Sequence, residues 1–208
     1  MGVQISPCAQ QSLWYTYTMI NILLYTFEAL LFLVLFIIIV LFILWTIGNI
    51  KNKVPFVTSP KKVLNKIEEE LGIKDGDTLY DLGSGDGRVI FYLAEKNNKA
   101  KYIGVENNPF PVFLARAERF LRRKKIGDSV EIIDKDFFKV NLSNATHIFT
   151  YLYPNVMDDL LTKFDEELKP GTKLVSLSFK FTNKRPIKEI DLGRSKYRLG
   201  RKIYVYQF

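Results

Sequence analysis

Between Tyr80 and Arg88 the chain reads YDLGSGDGR, with Gly83, Gly85 and Gly87 alternating directly after an apolar run and before a helical one. Glycine has no Cβ, so it accepts positive φ and lets a ligand approach the main chain, while the first turn of the next helix offers unpaired N–H groups to an anion. The spelling of the neighbours selects the ligand. A phosphate-cradling P-loop requires Gly-Lys-Ser/Thr, whereas Gly87 is followed here by Arg88 and Val89. A dinucleotide site of the form G-x-G-x-x-G would need its third glycine where Arg88 stands. The carboxylate of Asp81, at the strand end beside the loop, would repel a pyrophosphate and favour a ligand that carries an ammonium or a sulfonium.

Two further acids fall in register with this loop. Glu106 follows Gly83 by 23 residues and ends the next strand, where a carboxylate can accept hydrogen bonds from both hydroxyls of a ribose. Asp136 and Phe137 follow the third strand, placed to bind and cover an adenine. Ser84 and Asn107 complete the set of candidate ligand-binding residues. Taken singly, an acid at a strand end is more often a solvated carboxylate, and it is the joint register that points to a site. Cys8 is the only cysteine and His147 the only histidine, which excludes an internal disulfide framework, a Cys/His zinc cluster and a Cys-His nucleophilic pair; no metal site is expected. His147 lies in the apolar run Thr146–Thr150 and reads as a buried or capped strand residue.

The elements that must position these residues alternate. A helix over Lys61–Leu71 and the turn Lys74–Asp77 precede a strand at Thr78–Leu82. A helix at Arg88–Lys96, a strand at Tyr102–Glu106, a helix at Pro111–Lys124 and a strand at Val130–Asp134 follow. Then come a strand at His147–Leu152, a helix at Asn155–Leu168 and a strand at Lys173–Phe179. Two last strands, Ile187–Asp191 and Lys202–Gln207, have no helix between them and are expected to form an antiparallel hairpin. The fold class is therefore α/β, a doubly wound sheet with helices on both faces.

The first 50 residues are of another kind. They carry no Lys or Arg and one acid, Glu28, whereas the remainder holds all 30 Lys and Arg and 21 of the 22 acids, a balance of +9. Ala29–Gly48 is a run of 20 residues without a charge, 18 of them apolar, enough to cross a hydrocarbon core of roughly 30 Å as one transmembrane helix. Residues 12–27 are aromatic and uncharged, and read equally as an interfacial lead-in or as an extension of a tilted helix, with Glu28 as a boundary marker. A cleavable signal peptide would want a basic start and a small-residue cleavage site, and neither is evident. Lys51, Lys53, Lys61, Lys62 and Lys66 follow the span while nothing basic precedes it, which predicts a single-pass protein with its carboxy-terminal domain in the cytoplasm. Three parts are thus expected: a membrane segment over 1–50, a juxtamembrane connector over 51–60 and the α/β domain over 61–208.

Together, the loop, Asp81, Glu106 and Asp136-Phe137 resemble the class I S-adenosylmethionine-dependent methyltransferases, whose Rossmann-like sheet the alternating pattern matches. VPFVTSP from Val54 to Pro60, YDLGSGDGRVI from Tyr80 and GVENNPF from Gly104 are similar, more narrowly, to the protein-lysine methyltransferases related to the ATP synthase c-subunit lysine methyltransferase, a family with membrane-associated members and archaeal relatives. The resemblance implies S-adenosyl-L-methionine as cofactor and N-methylation of lysine side chains. It carries the cofactor role to Asp81, Gly83, Gly85, Glu106 and Asp136, and makes Pro55–Ser59, with Phe56 and Thr58, part of the substrate entrance. The turn Tyr151-Leu152-Tyr153-Pro154 departs from the less aromatic Val-Pro turn of eukaryotic members, which leaves substrate choice open. Tyr151 and Tyr153 read either as packing on the sheet or as aromatic walls around an amine-bearing side chain.

No single side chain is expected to act as an indispensable general base, because an apolar channel lined by Phe56, Tyr151 and Tyr153 would favour the neutral amine by desolvation. The expected partner is a protein with an accessible lysine, a membrane protein among the candidates, together with membrane lipids around the span. A lipid, quinone or other small membrane molecule is an alternative acceptor, and a cofactor-binding sensor or scaffold is the non-enzymatic alternative. Nucleic acid is disfavoured: amino-methylating enzymes of bases place Asp, Asn or Ser before Pro-Pro-aromatic, and here the turn is Leu152-Tyr153-Pro154-Asn155. The basic run Arg116 to Lys125 on a helix end suits water or anionic lipid as well as RNA.

Overall fold

The computed structural model describes residues 7–51, 63–193 and 202–208. They fall into two compact units, divided between Thr46 and Ile47. The described residues of the first belong to a single helix, α1 (Pro7–Lys51), without a break at Glu28. Its stretch long and apolar enough to cross a membrane runs Leu13–Ile43, 31 residues, starting well before the expected Ala29. At about 1.5 Å per residue this is ~46 Å, more than a hydrocarbon core, so residues 12–27 extend the helix and Glu28 lies inside the run, not at its edge. Its described apolar side chains point in every direction and are exposed, and no described residue of this unit covers them.

The second unit contains α2 (Leu64–Leu71), β1 (Thr78–Leu82), α3 (Arg88–Lys96), β2 (Lys101–Glu106), α4 (Pro109–Ile126), β3 (Val130–Asp134), a 3-10 turn (Phe137–Lys139), β4 (His147–Thr150), α5 (Pro154–Glu167), β5 (Lys173–Leu177), β6 (Lys188–Asp191) and β7 (Lys202–Gln207). Seven strands form one sheet in the order β3-β2-β1-β4-β5-β7-β6. β1 to β5 are parallel, and β7 runs antiparallel between β5 and β6. The hairpin expected at the carboxy terminus is present, with its second strand inserted into the sheet. Ile203, Tyr204, Val205 and Tyr206 are all buried there, at roughly 2 kcal/mol for each large side chain removed from water, which explains why the last strand lies inside and the weaker β6 takes the edge.

Alternation along each strand sends side chains to two layers. Leu79, Tyr102, Phe149 and Val175 meet α2, α3 and α4 on one face, while Tyr80, Leu82, Ile148 and Leu174 meet α5 and the segment around Leu142 on the other. Several boundaries differ from expectation for local reasons. α4 begins two residues early because the Asn108 side chain caps it, accepting from the Phe110 amide, with Pro109 in the first turn. β5 stops at Leu177, not Phe179, because Ser178 takes φ +69 and leaves the pleat. β4 stops at Thr150, since the chain turns at Tyr151 to enter α5 with Pro154 at its first turn. α2 is described only from Leu64 onward.

Candidate functional site

β1 and β4 are neighbours from which the chain winds outward in opposite directions, so the loops after them diverge and leave a crevice at the carboxyl ends of the strands. The glycine loop lies there. Gly83, Gly85 and Gly87 all adopt positive φ (+76, +57 and +75), and a Cβ on Gly87 would stand 2.6 Å from the Phe91 ring. The loop is tied down at its start, where the amides of Gly83 and Ser84 both donate to the Val105 carbonyl at 2.8 and 3.1 Å. Gly104 in β2 is where a Cβ would collide with Ser84 and Ile90, so that glycine lets the loop sit on the sheet.

Asp81 is 2% exposed, and its carboxylate forms no hydrogen bond or ion pair with another described residue. Burial, together with the nearby negative charges of Glu106 and Asp86, pushes its carboxyl well above the usual carboxylate range. A buried acid without a partner is costly unless a cation completes it. Two hydroxyls, Ser84 Oγ in the loop and Thr150 Oγ1 at the end of β4, are likewise buried without a hydrogen-bond partner among the described residues; Thr150 is paired in register with Leu82 and so faces the other side of the sheet from Asp81.

Glu106 is held differently. Its Oε2 accepts from the Gly85 amide at 3.0 Å, and its Oε1 accepts from the amides of Asn107 and Asn108, both at 2.9 Å. Burial raises its carboxyl above the usual range and the three amides offset this only in part. The side chain is therefore fixed against the loop, and Oε2, which takes a single amide, keeps accepting capacity for a further donor; this link between β2 and the loop is one that spacing alone does not show. Asn107 is exposed and contributes its amide to this arrangement. Asp136 caps the 3-10 turn, accepting from the Phe138 amide at 3.0 Å, and Phe137 packs its ring 5.0 Å from that of Phe138.

Beyond β4 and β5 the structure brings together three aromatic rings. Tyr151 and Tyr153 lie 6.2 and 5.1 Å from Phe179, centroid to centroid, and the Ser178 side chain bonds to the Tyr151 hydroxyl. Burial raises the Tyr151 hydroxyl above its ordinary value, so it stays protonated near neutral pH. Sequence reasoning misses Phe179, because the apolar pattern puts it within a strand; the Ser178 backbone that turns it toward the tyrosines carries no glycine to mark it. Pro154 is exposed at the start of α5 and holds no ligand-facing group beyond its fixed backbone. Phe56 and Thr58 lie outside the described residues. His147 starts β4, at the opposite end of the strand, where it is buried, bonded to Thr146 and lowered in pKa by burial. It takes no part in the crevice.

The family model described as the ANTKMT methyltransferase domain matches residues 81–188. A protein-lysine N-methyltransferase of Saccharolobus islandicus is 33% identical over 74% of this chain and 92% of its own length. A human lysine N-methyltransferase of the ATP synthase c-subunit is 29% identical over 64% of this chain; the match spans only 54% of that relative. Among solved structures, an RNA methyltransferase from Salinibacter ruber in complex with S-adenosyl-L-homocysteine superimposes with a TM-score of 0.65 at 33% identity, covering 73% of this chain and 93% of the other.

Proposed function

Since the chain belongs to the ANTKMT methyltransferase domain family and is an S-adenosylmethionine-dependent methyltransferase, we propose that it N-methylates lysine side chains of proteins at a membrane surface. The observation that carries the lysine reading is the 33% identity, along nearly its whole length, to an archaeal protein named for that activity. The aromatic trio at the ends of β4 and β5 supports it, because Tyr151, Tyr153 and Phe179 offer walls for an aliphatic stem that ends in an amine.

The residues present fit the cofactor. Asp81 would accept the ammonium of its methionine part, which supplies the cation that the buried carboxylate lacks. Gly83, Ser84, Gly85 and Gly87 would let its chain lie on the main chain, with the first turn of α3 facing the carboxylate. Glu106 would receive the ribose hydroxyls, and Asp136 and Phe137 would frame the adenine. The bound cofactor supplies an electrophilic methyl group on a positively charged sulfur.

The protein then has to orient an amine and keep water out. Desolvation between the rings of Tyr151, Tyr153 and Phe179 favours the neutral, nucleophilic amine, and the proton leaves to solvent before the amine is enclosed. Tyr151 remains protonated and is no base near neutral pH. Phe56 and Thr58 are retained as candidates for the substrate entrance on the family resemblance alone.

We further read α1 as a membrane anchor, with the basic residues after it marking the cytoplasmic side. Residues 1–50 would then be the anchor, 51–60 the connector and 61–208 the catalytic domain. A membrane tether raises the effective concentration of membrane-protein substrates.

RNA methylation is the second reading, favoured by the description of the Salinibacter ruber structure. The two separate in one experiment: full-length protein is incubated with methyl-labelled S-adenosylmethionine and a total membrane extract that retains RNA, and label is followed into lipid, RNA and acid-hydrolysed protein. The lysine reading expects label in methyl-lysine. Label confined to RNA, or to lipid, would overturn it.

A further inference from the structure

Among the described residues after α1, five large apolar side chains are well exposed, and three of them, Phe113, Phe120 and Leu121, sit on α4. The helix buries Val112, Ala115 and Ile126 against the sheet, and at 100° per residue Phe113, Phe120, Leu121 and Lys124 all fall on the opposite side. They form one outward stripe. Cations border it: Arg123 lies over the Phe120 ring at 4.2 Å, and Lys124 and Lys125 follow. The other arginines of α4 are engaged within the domain, Arg119 with the Val130 carbonyl, Arg122 with Glu118 and Glu95, and Arg116 with Asp134 at 4.0 Å. Arg123, Lys124 and Lys125 form no ion pair among the described residues. Cations in a last turn suit the helix dipole, which accounts for these three without any partner. It does not account for two phenylalanines and a leucine held in water beside them.

We propose that this face of α4 is a lipid-docking surface, which lays the methyltransferase domain against a membrane that carries anionic headgroups. Aromatic and aliphatic side chains enter the headgroup boundary while the basic ones pair with the anionic lipid, the pattern of interfacial helices. Charge complementarity and the exposed apolar stripe argue for lipid over RNA, because Leu121, the most exposed of the three at 74%, offers no ring for a base to stack on. The proposal rests on the reading of α1 as an inserted anchor, which keeps the domain within reach of a bilayer. It gives the single anchor a second point of attachment and thereby a fixed presentation of the crevice to neighbouring membrane proteins.

The test uses the full-length chain in a Cys8→Ser background, with an environment-sensitive dye on Leu121→Cys, or on Asn183→Cys as a control in an exposed position elsewhere. Protein is reconstituted with phosphatidylcholine vesicles, or with vesicles that also contain phosphatidylglycerol, and association is read by flotation. We expect flotation with both compositions, and a blue shift of the Leu121 dye, quenched by brominated acyl chains, only with phosphatidylglycerol. The Asn183 dye should stay silent. Replacing Arg123, Lys124 and Lys125 with Gln should abolish the shift, docking weakening about five-fold for each cation removed. Retained cofactor binding would show that this variant is folded. Flotation with both vesicle types but an unresponsive Leu121 dye would overturn the docking surface and leave the anchor standing. Flotation with anionic vesicles alone, with the shift, would support docking and overturn the anchor; flotation with neither would overturn both. A dye response to added single-stranded RNA but not to anionic lipid would assign the face to nucleic acid instead.

Discussion

Glu70 and Asp81 are both buried carboxylates in the same domain, and they stand in opposite conditions. Glu70, in α2, receives Lys188 of β6 on both oxygens at 2.8 and 2.7 Å and Lys66 at 3.1 Å. Burial pushes its carboxyl up, but the two ammonium groups outweigh this and hold it below the usual range. Asp81, near the end of β1, has no cation among the described residues and is driven the other way by burial and by Glu106 and Asp86. One acid is completed by the chain, and it fastens the edge hairpin to α2. The other has no cation among the described residues, and on the proposed reading the cofactor supplies it. Local stability is given up where a ligand will restore it, which is how a binding site differs from a structural ion pair.

The sharpest way to break this contrast is to neutralise Asp81. Asp81→Asn should weaken binding of S-adenosylmethionine about a hundred-fold by calorimetric titration, because a buried charge pair loses one member. The same variant without cofactor should gain about 1 kcal/mol in urea unfolding, since a buried unpaired charge disappears. A stability loss together with unchanged affinity would mean that Asp81 is structural, like Glu70.

The loop offers the next largest effect. Gly87→Ala places a Cβ against the Phe91 ring at a positive φ, and should cost about 2 kcal/mol in urea unfolding. Gly171→Ala, also at positive φ but with open space around it, should cost about 1 kcal/mol and spare cofactor binding.

Glu70→Gln should destabilise by about 1 kcal/mol, modest because Lys188 is half exposed, with cofactor affinity unchanged. The pH dependence of the two acids has opposite sign. The Glu70 contribution is fully present above its unfolded value near 4.5 and is lost as pH falls through the lowered folded value. The Asp81 penalty is absent below its unfolded value near 3.8 and grows as pH rises toward the raised folded value. Melting temperatures of the two variants relative to wild type should therefore separate in opposite directions as pH rises from about 3 to 7. Parallel shifts would contradict the contrast.

Much of the site is legible in the sequence, because short-range chemistry carries it. Asp81 and Glu106 fall at or near strand ends and the three glycines in the loop after β1, where their spacing puts them, and runs of apolar residues locate the strands to within two residues. What stays hidden depends on contacts between segments distant in sequence. The insertion of β7 beside β5 follows from burying Ile203 to Tyr206, not from any local propensity. The tie from Glu106 to the Gly85 amide and the approach of Phe179 to Tyr151 and Tyr153 are likewise tertiary, the latter through a serine in a backbone region where glycine would be the usual signal. Charge alone underreads the extent of α1, because it gives Glu28 the weight of a boundary, whereas one acid does not interrupt a helix that is apolar on every other side.

The central claim is that the cofactor completes the Asp81 carboxylate. Its most direct test is a carboxyl-detected NMR titration of Asp81 in the full-length protein, with and without S-adenosylmethionine. The account predicts an apparent pKa well above the ordinary value in the free protein and a large fall once the cofactor is bound. An Asp81 that titrates in the ordinary range when free, or whose titration is indifferent to the cofactor, would contradict it.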